Sequence, residues 1–146
     1  MSLDAVSPTR NDVLPGSEGV RDIVEVRLPA TSAYLSVLRT ATAGLAARLN
    51  FTLDEIEDLR IAVDEACAML LPQATAGEDF TCTFTLEDDA LDVHVRIPTG
   101  RGTLPERDTF AWTVLSALAG DVDAGVEPDT AVWIRLHKRR LALGSA

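Results

Sequence analysis

The chain is short of several things, and each shortage excludes a class of protein. It has two cysteines among 146 residues, and 5% of its residues are aromatic. Two thiols far apart in sequence do not make a disulfide-stapled scaffold. Cys67, in a helical pattern, and Cys82, in a strand pattern, read as small buried side chains. The two histidines, His94 and His137, fall in separate strand-like runs without ligand spacing around them, so no metal site is expected. No apolar run nears the roughly 20 residues of a membrane-spanning helix. The opening residues MSLDAVSPTRND lack the basic start and apolar centre of a secretory signal. A cytoplasmic protein without membrane contact is therefore expected. Positive charge is also scarce: 13 Lys and Arg stand against 23 Asp and Glu, a net charge of −10. Such a field repels a phosphate backbone, so direct contact with nucleic acid is not expected.

What is present suits one packed domain. Hydrophobic residues make up 47% of the chain, enough for a real core at this length. Residues 1–20 mix Pro8, Pro15, Gly16 and Gly19 with polar residues and read as a flexible arm. Residues 21–141 form the expected domain, and residues 142–146 a short tail. Arg21 to Leu28 alternates like a strand, which Pro29 ends. Thr31 or Ser32 suits the cap of a helix with Leu35, Leu38, Leu45 and Leu49 on one stripe and Asn50 as its stop. Thr52 and Glu55 form a capping box for a second helix, in which Ile56, Leu59, Val63, Ala66 and Leu70 share a face. Pro72 and Gly77 close it.

Phe80 to Leu86 and Leu91 to Ile97 then alternate cleanly around an acidic turn, the strongest hairpin signal in the chain. Residues 98–108 read as a loop. Phe110 to Leu118 reads as a helix with Phe110, Val114, Leu115 and Leu118 on its apolar stripe. Val122–Val126 and Val132–Leu136 suit a last hairpin. The order β-αα-ββ-loop-α-ββ predicts an α+β fold: one mixed, mostly antiparallel sheet with helices on one face.

Two stretches carry candidate chemistry. Asp58 to Leu71, DLRIAVDEACAMLL, places Asp64 and Glu65 on an amphipathic helix, where acidic pairs are most often a solvated face. Pro98-Thr99-Gly100-Arg101-Gly102 follows a strand, and its glycines suit close backbone approach to a phosphate or a plain turn.

Thr52-Leu53-Asp54-Glu55 followed by Ile61-Ala62-Val63-Asp64-Glu65-Ala66 resembles the second helix of the RsbW and SpoIIAB type anti-sigma factors. These belong to the histidine-kinase-like (GHKL, Bergerat-fold) ATPases. The resemblance covers roughly residues 21–138, and Phe110 to Leu118 is similar to actinobacterial members with a degenerate pocket. It implies a Bergerat two-layer sandwich. It implies that Glu65, if the chain is active, is the catalytic glutamate that polarises the hydroxyl or water attacking the γ-phosphate, and that Gly100 and Gly102 are the glycines of the nucleotide loop. It also implies that Met69 stands where an asparagine holds Mg²⁺ and Pro98 where an aspartate receives adenine. Met69 offers a thioether to a hard cation, and Pro98 offers no acid. Phe110-Ala111-Trp112-Thr113 stands where a glycine-rich segment wraps phosphates, and is expected to fill that space.

ATP and Mg²⁺ are thus cofactors of the family whose ligands this chain lacks, and no cofactor is expected. The resemblance further implies a sigma factor and a STAS-type anti-anti-sigma factor as partners, Arg39 as a partner contact, and a homodimer edge at residues 22–28. Three readings follow: an anti-sigma factor with a dead ATP site, an active serine kinase phosphorylating an anti-anti-sigma factor, and an α+β domain sharing only the architecture.

Overall fold

The structure, a computed structural model, describes residues 21–141. The arm expected at 1–20 and the tail at 142–146 lie outside the described residues.

Strand β1 spans Asp22–Pro29, with Val24, Val26 and Leu28 half-buried and the residues between them exposed. A 3-10 turn, Ser32–Tyr34, is capped by the Thr31 hydroxyl, which accepts from the Ala33 N–H. It leads into helix α1, Leu35–Arg48. Thr42 lies fully buried in the apolar stripe of α1. Its hydroxyl donates to the Leu38 carbonyl at 2.8 Å, so burial leaves no polar group unsatisfied. Asn50 turns the chain at φ 63°, a conformation asparagine tolerates better than most residues.

Helix α2, Leu53–Leu70, opens with the expected capping box. The Thr52 hydroxyl accepts from the Glu55 N–H at 3.1 Å, and the Glu55 carboxylate accepts from the Thr52 N–H at 2.7 Å. Pro72, inside the 3-10 turn Leu71–Gln73, prevents continuation.

Strands β2, Asp79–Leu86, and β3, Ala90–Pro98, form the expected hairpin. Helix α3 is Phe110–Ala119, capped by the Thr109 hydroxyl and ended by Gly120 at φ 87°. Strands β4, Asp121–Glu127, and β5, Ala131–Arg139, close the chain around a turn with Asp129 at φ 60°.

The five strands make one sheet in the order β1-β2-β3-β5-β4. All four pairings are antiparallel, so the fold class is as expected while the sheet is not mixed. The helices cover one face, with α2 packed between α1 and α3. Leu59, Val63 and Leu70 of α2 are fully buried in one cluster with Phe80, Phe84, Val93 and Ile134 of the sheet. Burying each such side chain stabilises by about 1.5–3 kcal/mol.

The apolar stripe of α3 differs from the expected one. Trp112, Leu115 and Ala119 are buried, whereas Phe110 is 83% exposed. The periodicity is right but its phase is rotated. With Thr109 as the cap, Trp112, a larger side chain, takes the inward position. Phe110 therefore does not fill the space implied by the resemblance.

The other face of the sheet is polar and internally paired, as antiparallel sheets with one solvated face allow. Arg96 donates from Nε and Nη2 to both carboxylate oxygens of Glu127, at 2.9 and 2.8 Å. That bond holds the Glu127 carboxyl below its ordinary range and raises Arg96. Asp92 accepts from Arg135 Nε at 2.8 Å and lies 3.2 Å from His137 Nδ1. His94 stacks on Trp133 with ring centroids 5.2 Å apart. The Trp133 ring lies so close over Gly125 that a Cβ there would collide with it.

Candidate functional site

Helix α2 carries the first of the two stretches that the sequence singles out, and its two flanks serve different neighbours. At 100° per residue, Asp64 and Glu65 leave the helix in divergent directions. Asp64 turns toward α1. There its Oδ2 accepts from Arg39 Nη1 at 2.9 Å, with the two side chains 37% and 33% exposed. Arg39 is thus tied to α2 through Nη1 while its side chain stays partly exposed. Ile61, one turn before Asp64, is 40% exposed. The sequence reading left Asp64 on a solvated face and did not pair it with Arg39. Its signal was available: Arg39 and Asp64 stand nearly equidistant from the turn at Phe51, where antiparallel helices bring residues opposite each other.

Glu65 is half-buried on the other flank, with Met69 one turn further on the same side. Met69 joins Gln73, Thr103, Leu104, Thr109 and Ala111 in lining an open groove of about 360 Å³. Gln73 ties the loop into place, donating from Nε2 to the Thr103 carbonyl at 3.0 Å and accepting from the Thr103 N–H at 2.7 Å. Leu104, beside it, is 47% exposed. None of Glu65, Pro98, Gly100 and Gly102 lines this groove.

The loop after β3 divides its glycines by job. Pro98 ends β3 opposite Ala131. Thr99 is buried, with its N–H donating to the Thr130 carbonyl at 2.9 Å and its hydroxyl accepting from the Arg101 N–H. At Gly102 a Cβ would stand 3.2 Å from Val132 Cβ and 3.4 Å from the Ala131 carbonyl oxygen, so close packing explains this glycine. At Gly100 a Cβ would meet nothing within 4 Å.

The opposite end of α2 is structural. Glu55 is 4% exposed, and its second oxygen accepts from the Leu141 N–H at 2.8 Å. Burial raises its carboxyl. The hydrogen bonds from Thr52 and Leu141, with the Lys138 charge, outweigh burial and leave it below its ordinary value. Lys138 itself donates to the Leu118 carbonyl at 2.9 Å, closing the end of α3. This acid belongs to the core, held there in the capping box expected of it. A wide cleft of about 570 Å³ lies beside it, with Asp54, Asp58, Asp121 and Arg139 on its walls.

Both cysteines are buried and free. Burial, with the nearby Asp64 charge, pushes the Cys67 thiol up to about 12, and burial also raises Cys82. These are inert packing groups, as the sequence suggested. Among the described residues no group of three His, Cys, Asp or Glu is placed to hold a metal. No described helix is long and apolar enough to cross a membrane.

No family model matches the chain. Curated proteins do match it. It is 35% identical over 74 residues to the serine-protein kinase RsbW of Bacillus cereus strain ATCC 10987, a stretch covering 49% of this chain and 46% of that one. It is 36% identical over 77 residues to the serine-protein kinase RsbW of Bacillus subtilis strain 168, covering 51% of this chain and 48% of that one. The chain is thus similar to RsbW over about half of its length. The match spans about half the length of these relatives. A solved structure of the RsbU and RsbW domains of a Mycobacterium tuberculosis protein superposes with TM-score 0.65 over 82% of this chain and 32% of that one, at 15% identity. The two share a fold, and it is the two-layer α+β sandwich that the resemblance implied.

Proposed function

We propose that this RsbW-like chain is an anti-sigma factor: it sequesters an RNA polymerase sigma factor and releases it when a STAS-type anti-anti-sigma protein competes. The observation that carries the reading is the groove at the end of α2. The position that the resemblance assigns to a Mg²⁺ ligand holds Met69, and the groove it lines sets Leu104, Pro105 and Ala111 beside it with a single acid, Glu106. A thioether does not suit a hard cation. Pro98 brings no acid to the adenine position. The residues present do not fit Mg-ATP as the family holds it, and phosphoryl transfer relies on metal and positioning. Protein binding needs neither. Arg39, partly exposed and bonded to Asp64, suits a partner carboxylate.

Calorimetric titration of the purified chain with each sigma factor of its host tests this. Stoichiometric binding to one of them is expected, abolished by Arg39→Glu. A folded protein that binds none would sink the proposal.

A second reading is favoured by the names of the relatives, which are serine-protein kinases, and by Glu65. Under it, Mg-ATP at millimolar concentration raises the melting temperature, because a ligand that binds only the native state stabilises it. Under the anti-sigma reading the melting temperature does not move.

The RsbW-like chain also suits a homodimer through the free edge of β1. A two-fold axis through Val26 would set Glu25 of one copy against Arg27 of the other, and Val24 against Leu28. Unpaired strand edges favour such pairing, and opposite charges across it add to its stability. Sedimentation analysis of Glu25→Arg should give monomer, and Glu25→Arg with Arg27→Glu should restore dimer. A wild-type monomer at high concentration removes the dimer.

A further inference from the structure

We propose that Asp64 is a positioning residue: it braces Arg39 through Nη1 so that the Nε/Nη2 side of the guanidinium stands open to a carboxylate of the protein partner. The proposal rests on the anti-sigma reading for the identity of that partner and on this structure alone for the brace. Arginine presents two distinct donor forks, and the side formed by Nε and Nη2 matches a carboxylate bidentately. The same molecule contains that arrangement completed. Arg96 uses Nε and Nη2 to hold both oxygens of Glu127, at 2.9 and 2.8 Å. Arg39 is the uncompleted counterpart. Asp64 takes Nη1 at 2.9 Å, and Nε and Nη2 have no partner among the described residues.

The geometry fixes what the brace can do. Arg39 and Asp64 sit on different helices, so the bond fixes the guanidinium across the α1–α2 seam. A free arginine must lose rotamer freedom when it binds. A braced one has lost part of it already, and less is then lost on association. Asp64 also keeps one carboxylate oxygen, Oδ1, outside the bond with Arg39. The arrangement therefore fits a partner surface that brings a carboxylate to Arg39 and an apolar side chain to Ile61, which is 40% exposed one turn away on α2. A partner that displaced Asp64 would bury an unpaired charge, which is costly at an interface. The brace thus selects for carboxylates that approach from the open side.

A double-mutant cycle tests this on the full-length protein. The probe is the host sigma factor that binds the wild type in the titration above. Asp64→Asn, which keeps shape and loses charge, should weaken binding about tenfold. Asp64→Glu should recover part of the loss. In an Arg39→Ala background, Asp64→Asn should have no further effect, because Asp64 acts only through Arg39. Unchanged or tighter binding by Asp64→Asn overturns the brace, and so does an equal loss in both backgrounds. Nuclear magnetic resonance of the Arg39 Nε–H in the free protein supplies an arm that needs no partner. Asp64→Asn should speed its motion, with the fold unchanged by backbone shifts. An Arg39 signal indifferent to Asp64→Asn also overturns the brace. A wild type that binds no sigma factor removes the anti-sigma reading instead, and the brace then stands or falls on the Nε–H measurement.

Discussion

The two ends of α2 use acids in opposite ways. At its start, Glu55 is almost wholly buried, accepts from the Thr52 and Leu141 backbones, and lies under the influence of Lys138. Toward its end, Asp64 is partly exposed with one guanidinium contact, and Glu65 is half-buried above Met69. The first acid locks the helix to the end of β5. The others stand at a surface that has not used up its bonding capacity. Burial with complete hydrogen bonding marks structure, and exposure with incomplete bonding marks interaction. Six acids in one helix look alike in sequence; their surroundings divide them.

Substitutions sharpen that division. Leu59, fully buried at the middle of α2, sets the upper bound for what a structural residue costs. Leu59→Ala should lower unfolding free energy by about 2–5 kcal/mol, read by urea denaturation. A smaller loss would mean that the core collapses around the cavity.

Glu55→Ala comes next. It removes half of the capping box and leaves the Thr52 and Leu141 N–H groups without their acceptor. A loss of about 1–3 kcal/mol is expected from the same measurement. Glu65→Gln, at the other end, should stay within about 0.5 kcal/mol of wild type. Equal costs at both positions would erase the contrast between the two ends of the helix.

Acid titration separates the structural groups further. Burial lowers His94 below its ordinary 6.5, so the unfolded chain binds its proton first. The His94 contribution is complete above about pH 6.5 and is lost as pH falls through the lower folded value. Glu55 sits below its ordinary 4.5, so its contribution holds above that pH and is lost as pH falls further. Melting temperature should therefore decline in two stages on acidification. His94→Gln should flatten the first stage, and Glu55→Gln should reduce the second, which Glu127 shares. A first stage that survives His94→Gln would assign it to another group.

Much of this was legible in the sequence because the signals are local. Thr52 and Glu55 stand three apart and meet in a capping box. The alternation of Phe80 to Leu86 marks β2, and Pro72 and Asn50 mark where helices stop. The misses are non-local or depend on phase. The second carboxylate bond of Glu55 comes from the Leu141 N–H, 86 positions away. The Arg39–Asp64 bond crosses 25 positions. The stripe of α3 was misplaced because Phe110 and Trp112 are both apolar, and periodicity alone does not say which one faces inward. The candidate site suffered most, since a family motif locates positions without saying what surrounds them. Gly102 is explained by Val132 beside it, which no reading of the loop alone supplies.

Phe110 provides the smallest expected effect and the most direct test of that lesson. It is 83% exposed on the first turn of α3, while Trp112 is buried two residues later. An exposed aromatic gives up little when it is removed, because folding took little of it from water. Phe110→Ser should change unfolding free energy by less than about 0.5 kcal/mol. Trp112→Ser should cost several times as much, since Trp112 also carries the Arg107 guanidinium over its ring at 4.7 Å. The same pair bears on function. If Phe110 belongs to the partner surface, Phe110→Ser weakens sigma-factor binding while the melting temperature holds. If binding also holds, Phe110 is a solvated side chain and the interaction surface ends at α2.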